Sequence, residues 1–174
     1  MYNHIMMALF ATSPDGTRIA YERRGTGPAL VLLHGGGGSR QEWHLAGYIS
    51  RLQDQFTVIT LDLRGHGESD LPTAPSAYTI EKMEQDILAV ADVCGSEHFT
   101  LWGMSYGGKV GRYLAVHSPR VDKFIMLGTP LGLGVSGEQR QAAFDFCAYW
   151  SPIIQSQQKG RLDLASLSIA DQET

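Results

Sequence analysis

The chain has 174 residues, with 14 Lys plus Arg against 18 Asp plus Glu and a formal net charge of −4. That length fits one domain, able to bury roughly 68–70% of the surface its unfolded chain exposes. Apolar residues make up 43% and charged residues 18%, which excludes a disordered chain; mild acidity without a basic cluster argues against nucleic acid or an anionic membrane as partner.

In chain order, Ile5 to Ala11 and Thr17 to Arg23 read as short strands around Ser13-Pro14-Asp15-Gly16. Pro followed by Asp-Gly is turn chemistry, so this segment is predicted to be an antiparallel hairpin. Ala29 to Leu33 is a continuous apolar run, as expected of a strand buried on both faces, and it ends in His34-Gly35-Gly36-Gly37-Gly38. Gln41 to Leu52 reads as one helix and Thr57 to Leu61 as a second buried strand. Asp62 to Ser76 is a polar loop. Ile80, Met83, Ile87, Val90 and Cys94 then follow at helical spacing, with Thr79 available as N-cap. His98 to Trp102 is a third buried strand, Ser105 to about His117 a helix, and Val121 to Leu127 a fourth strand. Strands alternating with helices predict a mostly parallel α/β sheet with helices on both faces. Beyond Pro130 the pattern changes: Glu138 to Trp150 is helical, and Ser151 to Thr174 is polar and weakly patterned.

Gly103-Met104-Ser105-Tyr106-Gly107 has the form G-x-S-x-G. The bare pattern is weak; its context is strong. It follows a buried strand and precedes a helix, where a sharp strained turn would lift the Ser105 hydroxyl above the sheet. The helix N-terminus would aim free N–H groups at a reacting carbonyl. A nucleotide site competes for the same residues, because Gly103-x4-Gly108-Lys109 is nearly a P-loop. Val110, however, replaces the Ser or Thr that would hold Mg²⁺. Four successive glycines after Ala29 to Leu33 allow close backbone approach to a substrate and free N–H groups.

Leu32-Leu33-His34-Gly35-Gly36-Gly37, Asp62-Leu63-Arg64-Gly65-His66-Gly67-Glu68-Ser69 and Gly103-Met104-Ser105-Tyr106-Gly107-Gly108 occur in that order on the expected elements. Together they resemble the α/β-hydrolase fold superfamily, over roughly residues 5 to 150. The resemblance implies that Ser105 is a nucleophile forming an acyl-enzyme, and that the backbone N–H groups of Gly36 and Tyr106 form the oxyanion hole. Ser at 105 rather than Asp argues against the haloalkane dehalogenase and epoxide hydrolase branches. His34 and His66 are candidate substitute bases, with structural roles preferred for both. The Asp62 to Ser69 segment is expected to be a turn held by internal polar bonds, with Arg64 and Asp62 as mutual partners.

Members of the superfamily carry their acid after a seventh strand and their catalytic histidine after an eighth, and the sequence reads as ending before both. His117 is expected about 16–18 Å along its helix from Ser105, too far to share a proton. The expected organisation is therefore a partial hydrolase core over 1–130 and a partial cap over 131–174, with the last two strands missing. Phe144 and Trp150 are candidate lining of an apolar acyl pocket. The expected function is hydrolysis of a small carboxylic ester, lactone or thioester through a serine acyl-enzyme, weak or lost in this chain. Loss of a triad base costs about 10⁶ in turnover. The alternative is a non-catalytic remnant or interaction module that self-associates through an open apolar edge at Val121 to Leu127.

Neither cofactor nor metal is expected. Cys94 and Cys147 have no disulfide or metal spacing and read as small buried hydrophobes. No apolar run approaches the ~18 residues of a membrane span. With no basic leader at Met1 to Phe10, a cytoplasmic location is expected.

Overall fold

A computed structural model describes residues 8–128 of the chain. Six strands form one sheet in the order β1-β2-β4-β3-β5-β6. They are β1 (Leu9–Thr12), β2 (Arg18–Arg24), β3 (Ala29–Leu33), β4 (Thr57–Leu61), β5 (Phe99–Met104) and β6 (Val121–Leu127). β1 pairs antiparallel with β2, and β2 with β4; β4, β3, β5 and β6 run parallel. The helices are α1 (Gln41–Leu45), α2 (Tyr48–Leu52), α3 (Ile80–Val93) and α4 (Tyr106–His117).

Successive strand side chains point to opposite faces, and this alternation divides the core in two. Val31, Leu33, Ile59, Leu61 and Leu101 face α3 and α4, meeting Met83, Ile87, Val90, Val110 and Leu114. Leu30, Leu32 and Val58 face the other way, against Trp43 of α1 and Ile49 of α2. Helices thus cover both faces, which is why β4 is buried at every position and β3 at all but its first. The hairpin also forms: Gly16 N–H donates to the Ser13 carbonyl at 2.8 Å, and Asp15 Oδ1 accepts the Thr17 N–H at 3.1 Å. Thr79 caps α3, its hydroxyl oxygen accepting the Lys82 N–H at 3.4 Å.

Two expectations about the elements change. The helix predicted over 41–52 is two short helices, because Gly47 adopts φ +73 between them. A left-handed residue closes one helix, and glycine takes that conformation without steric cost. The third parallel strand runs on to Met104, directly before Ser105. Cys94 caps the end of α3 half-buried, where burial pushes its thiol up to about 11. Cys147, Phe144, Trp150 and the cap assigned to 131–174 lie outside the described residues. No helix among the described residues is long and apolar enough to cross a membrane.

Arg64 and Asp62 do not pair with each other, contrary to the expectation for this turn. Arg64, fully buried, reaches away from Asp62 and donates from Nε and Nη2 to Asp86 of α3, each at 2.6 Å, and from Nη1 to Asp15 at 2.8 Å and the Ala77 carbonyl at 2.6 Å. One guanidinium therefore ties the hairpin turn, the loop after β4 and α3 together. Its planar fork suits a two-pronged carboxylate contact. Arg64→Ala leaves Asp86 buried without a counter-charge and is expected to lower unfolding free energy by about 3–5 kcal/mol in urea titrations. The Arg64→Met/Asp86→Leu double variant should recover most of that loss.

Candidate active site

The C-terminal ends of β3, β4 and β5 bring three loops together. Ser105 sits between β5 and α4 with φ 49 and ψ −111, the one non-glycine positive φ among the described residues. This backbone is strained, at a cost of about 1–3 kcal/mol. It is enforced by close approach on either side. A Cβ at Gly103 would lie 2.5 Å from the Gly107 carbonyl oxygen, and one at Gly107 would lie 2.5 Å from that of His34. Gly107 N–H instead donates to the His34 carbonyl at 3.1 Å, and Ser105 N–H to the Leu127 carbonyl at 2.8 Å. The start of α4 is thereby fastened to β3 and β6.

The glycine loop lies along this turn. A Cβ at Gly35 would be 3.6 Å from the Ser105 Cβ, and one at Gly36 would be 3.5 Å from the Tyr106 Cβ. Gly38 N–H closes a turn onto the Gly35 carbonyl at 3.2 Å, with Gly37 at φ +77. Ser105 and Gly36 are exposed, while Gly35 and His34 are buried. The Tyr106 hydroxyl points away into the core and donates to Met83 Sδ at 3.3 Å.

His34 is committed to this loop. Its Nε2 accepts the Leu63 N–H at 3.0 Å, which puts the proton on Nδ1, and Nδ1 donates to the Gly35 carbonyl at 2.6 Å. With both nitrogens engaged and the ring fully buried, desolvation pulls its pKa down to about 4. The His66 ring stands 5.1 Å from that of His34, with Nδ1 3.2 Å from the Arg64 carbonyl. His117, at the far end of α4, meets Glu84 at 3.2 Å.

The turn from Asp62 to Ser69 is held internally, as the sequence suggests. Asp62 accepts the Glu68 N–H at 2.9 Å, and the Ser69 hydroxyl donates to the Asp62 carbonyl at 2.6 Å. The cation on Asp62 is Arg40, which gives its backbone N–H at 2.7 Å and its guanidinium to the carboxylate, and also reaches Glu68. Arg40 anchors the end of the glycine loop, and the sequence carries no local sign of it, since its partner is 22 residues away. Glu42, whose carboxyl lies against Gly38, was likewise invisible in the motifs.

The near P-loop spacing forms no phosphate cradle. α4 begins at Tyr106, so Gly107 and Gly108 already lie in the helix, and the Lys109 N–H is spent on the Ser105 carbonyl. Among the described residues no group of three His, Cys, Asp or Glu side chains could hold a metal ion.

Because His34 stays neutral in the folded chain but protonates near 6.5 when unfolded, the unfolded state binds the extra proton first as pH falls. Stability is therefore expected to decline from about pH 6.5 to about pH 4, by about 3 kcal/mol, and then level off. Urea midpoints across this window should show the decline, and His34→Gln should flatten it.

A family model described as alpha/beta hydrolase fold matches residues 28–158. The chain is similar to 3-oxoadipate enol-lactonase 2 of Acinetobacter baylyi, at 34% identity over 108 residues, covering 62% of this chain and 39% of that protein. It is also similar to epoxide hydrolase 2 of Siraitia grosvenorii, at 27% identity over 165 residues, covering 89% of this chain and 52% of that one. Among solved structures, an alpha/beta hydrolase from Sphaerobacter thermophilus superimposes with a TM-score of 0.68 at 27% identity, over 89% of this chain and 62% of that one. The chain thus spans about two fifths to half of the length of these curated relatives. Since the family match runs unbroken from the start of β3 to beyond β6, the chain belongs to the alpha/beta hydrolase fold family.

Proposed function

We propose that this chain carries the nucleophile and oxyanion half of a serine hydrolase acting on a small carboxylic ester, lactone or thioester. The observation that supports it most is the strained, exposed Ser105 turn with the glycine loop packed along it. In this reading Ser105 Oγ attacks the acyl carbonyl, and the Gly36 and Tyr106 N–H groups take the developing oxyanion. One such donor typically contributes about 3 kcal/mol to the transition state. The attacking hydroxyl must give its proton to a base. His34, with both nitrogens bonded, and His66 are assigned structural roles, and the base is assigned to residues outside 8–128. The domain division at 130/131, an acyl pocket bearing Phe144 and Trp150, and a cytoplasmic location belong to the same proposal.

A second reading, an interaction module that pairs through its sheet edge, is favoured by β6. Among the described residues β6 pairs only with β5, and Ile125 and Leu127 are 44% and 48% exposed. Sedimentation velocity tests it: concentration-dependent dimers weakened by Ile125→Lys support pairing, and a monomer at all concentrations removes it.

Intact-mass detection of a serine-directed phosphonate tests the hydrolase reading. Slow formation of one adduct is expected, carried by the oxyanion donors without a base among residues 8–128 and absent in Ser105→Ala; a folded chain that takes up none would overturn the nucleophile assignment. Ser105→Gly should also abolish labelling while raising stability by about 1 kcal/mol, because glycine relieves the positive φ.

A further inference from the structure

Outside the serine turn and the glycine loop, one buried carboxylate holds two basic side chains beside a cavity. Glu22 and Arg24 lie two residues apart on β2 and so point to one face of the sheet. It is the face that α1 and α2 cover, since the register partner of Arg24 is Val58, which packs there. α1 brings His44 to the same place, and the end of α2 brings Gln53. A cavity of about 300 Å³ opens among Arg24, His44, Ile49, Ser50 and Gln53.

Glu22 is buried, with 10% of its side chain exposed, and both its oxygens are taken. Oε1 accepts from Arg24 Nε, and Oε2 meets His44 Nε2 at 2.8 Å. Burial works to raise the Glu22 pKa, but these two bonds hold it below the usual glutamate value. The carboxylate therefore stays charged and fixes which atoms its partners have left. Arg24 keeps both terminal nitrogens, His44 keeps Nδ1 and Gln53 keeps its side-chain amide, none of them bonded to a described residue. Ser50 is already spent, its hydroxyl donating to the Gly47 carbonyl at 3.0 Å.

Charge decides what such a cavity can hold. With both Glu22 oxygens taken, a metal ion finds no open carboxylate. Glu22 cancels Arg24, so with a neutral His44 the site carries no net charge, and Nδ1 has no proton to give. Once His44 takes a second proton, Nδ1 becomes a donor and the site carries one positive charge. The charged groups facing His44 from β2 are Glu22 and Arg24, while α2 contributes only the uncharged Ile49, Ser50 and Gln53. Donors converging from three elements suit a tetrahedral oxyanion, whereas one guanidinium fork already satisfies a planar carboxylate.

We propose that the cavity between β2, α1 and α2 is an anion site for a phosphate or sulfate group, held by Arg24, His44 and Gln53 and organised by Glu22. Binding takes up one proton, on His44 Nδ1, so affinity falls as pH rises through the histidine range. The site is independent of the serine-hydrolase reading.

The test is a ¹H–¹⁵N NMR titration of the full chain with sodium sulfate, at an ionic strength held constant with chloride. It is run at about pH 5.5 and about pH 7.5, either side of the ordinary histidine value, where sulfate itself does not titrate. Saturating shifts are expected in the amides of His44, Ser50 and Gln53, with a dissociation constant about tenfold higher at the upper pH. Arg24→Gln should weaken binding by about tenfold or more, and His44→Gln should bind with one affinity at both pH values. The same spectra report whether each variant is folded. Linear shifts spread over the surface mean an adventitious ion only and overturn the site, as does an undiminished affinity in Arg24→Gln. A parent affinity that is equal at the two pH values overturns the role of His44, and acetate binding as tightly as sulfate overturns the ligand class. Tighter binding of glycerol 3-phosphate than of inorganic phosphate supports an organic phosphate as the ligand; equal or weaker binding supports the free anion.

Discussion

The site depends on a contact that no side chain could occupy. Gly107, at the start of α4, lies against the His34 carbonyl at the end of β3, and Gly103 lies against Gly107. These approaches force the chain to turn in one residue, and that residue is Ser105. A bulkier pair of neighbours would push α4 away from the sheet and let the strained φ relax. The parallel register of β4, β3 and β5 makes the arrangement rigid, since it brings the strand ends level with one another. Strain at Ser105 is thus stored by packing elsewhere in the sheet.

Buried charge holds the loops that the strands deliver. Arg40 ties the end of the glycine loop to Asp62, and Arg64 ties the hairpin turn to α3 through Asp15 and Asp86. Such pairs add little net stability compared with apolar packing, but they tolerate few alternative geometries. Arg40 meets the segment Asp62 to Ser69 near both ends, at Asp62 and Glu68, Arg64 reaches out of it to Asp15 and Asp86, and the His34 ring is bonded to Leu63 within it. The glycine loop is consequently stiff in spite of its composition. Its freedom is removed residue by residue, by His34 at the Gly35 carbonyl, by the turn at Gly38 and by the backbone of Arg40.

The strands β3, β4 and β6, the cap of α3 and the place of Ser105 were legible because each rests on local chemistry: apolar runs, a Thr at an N-cap, glycines flanking a serine. The break at Gly47 was hidden, because one glycine within a helical pattern is compatible with either continuation or closure. The partner of Arg64 was misread for a different reason. Nearness in sequence suggested Asp62, but the strand-to-loop turn points the guanidinium toward α3, where Asp86 waits 22 residues on.

The sequence by itself determined an α/β sheet with a hairpin at its start, the serine turn, the glycine loop and the family they signal. Those features are periodic or contiguous, so the residues that cause them are neighbours along the chain. The tertiary structure alone decided which charges pair, that both nitrogens of His34 are spent, and that the Glu42 carboxyl lies under Gly38. Such contacts join segments brought together only when the sheet closes and the helices settle on it, and no pattern in one stretch encodes the direction of a side chain in another.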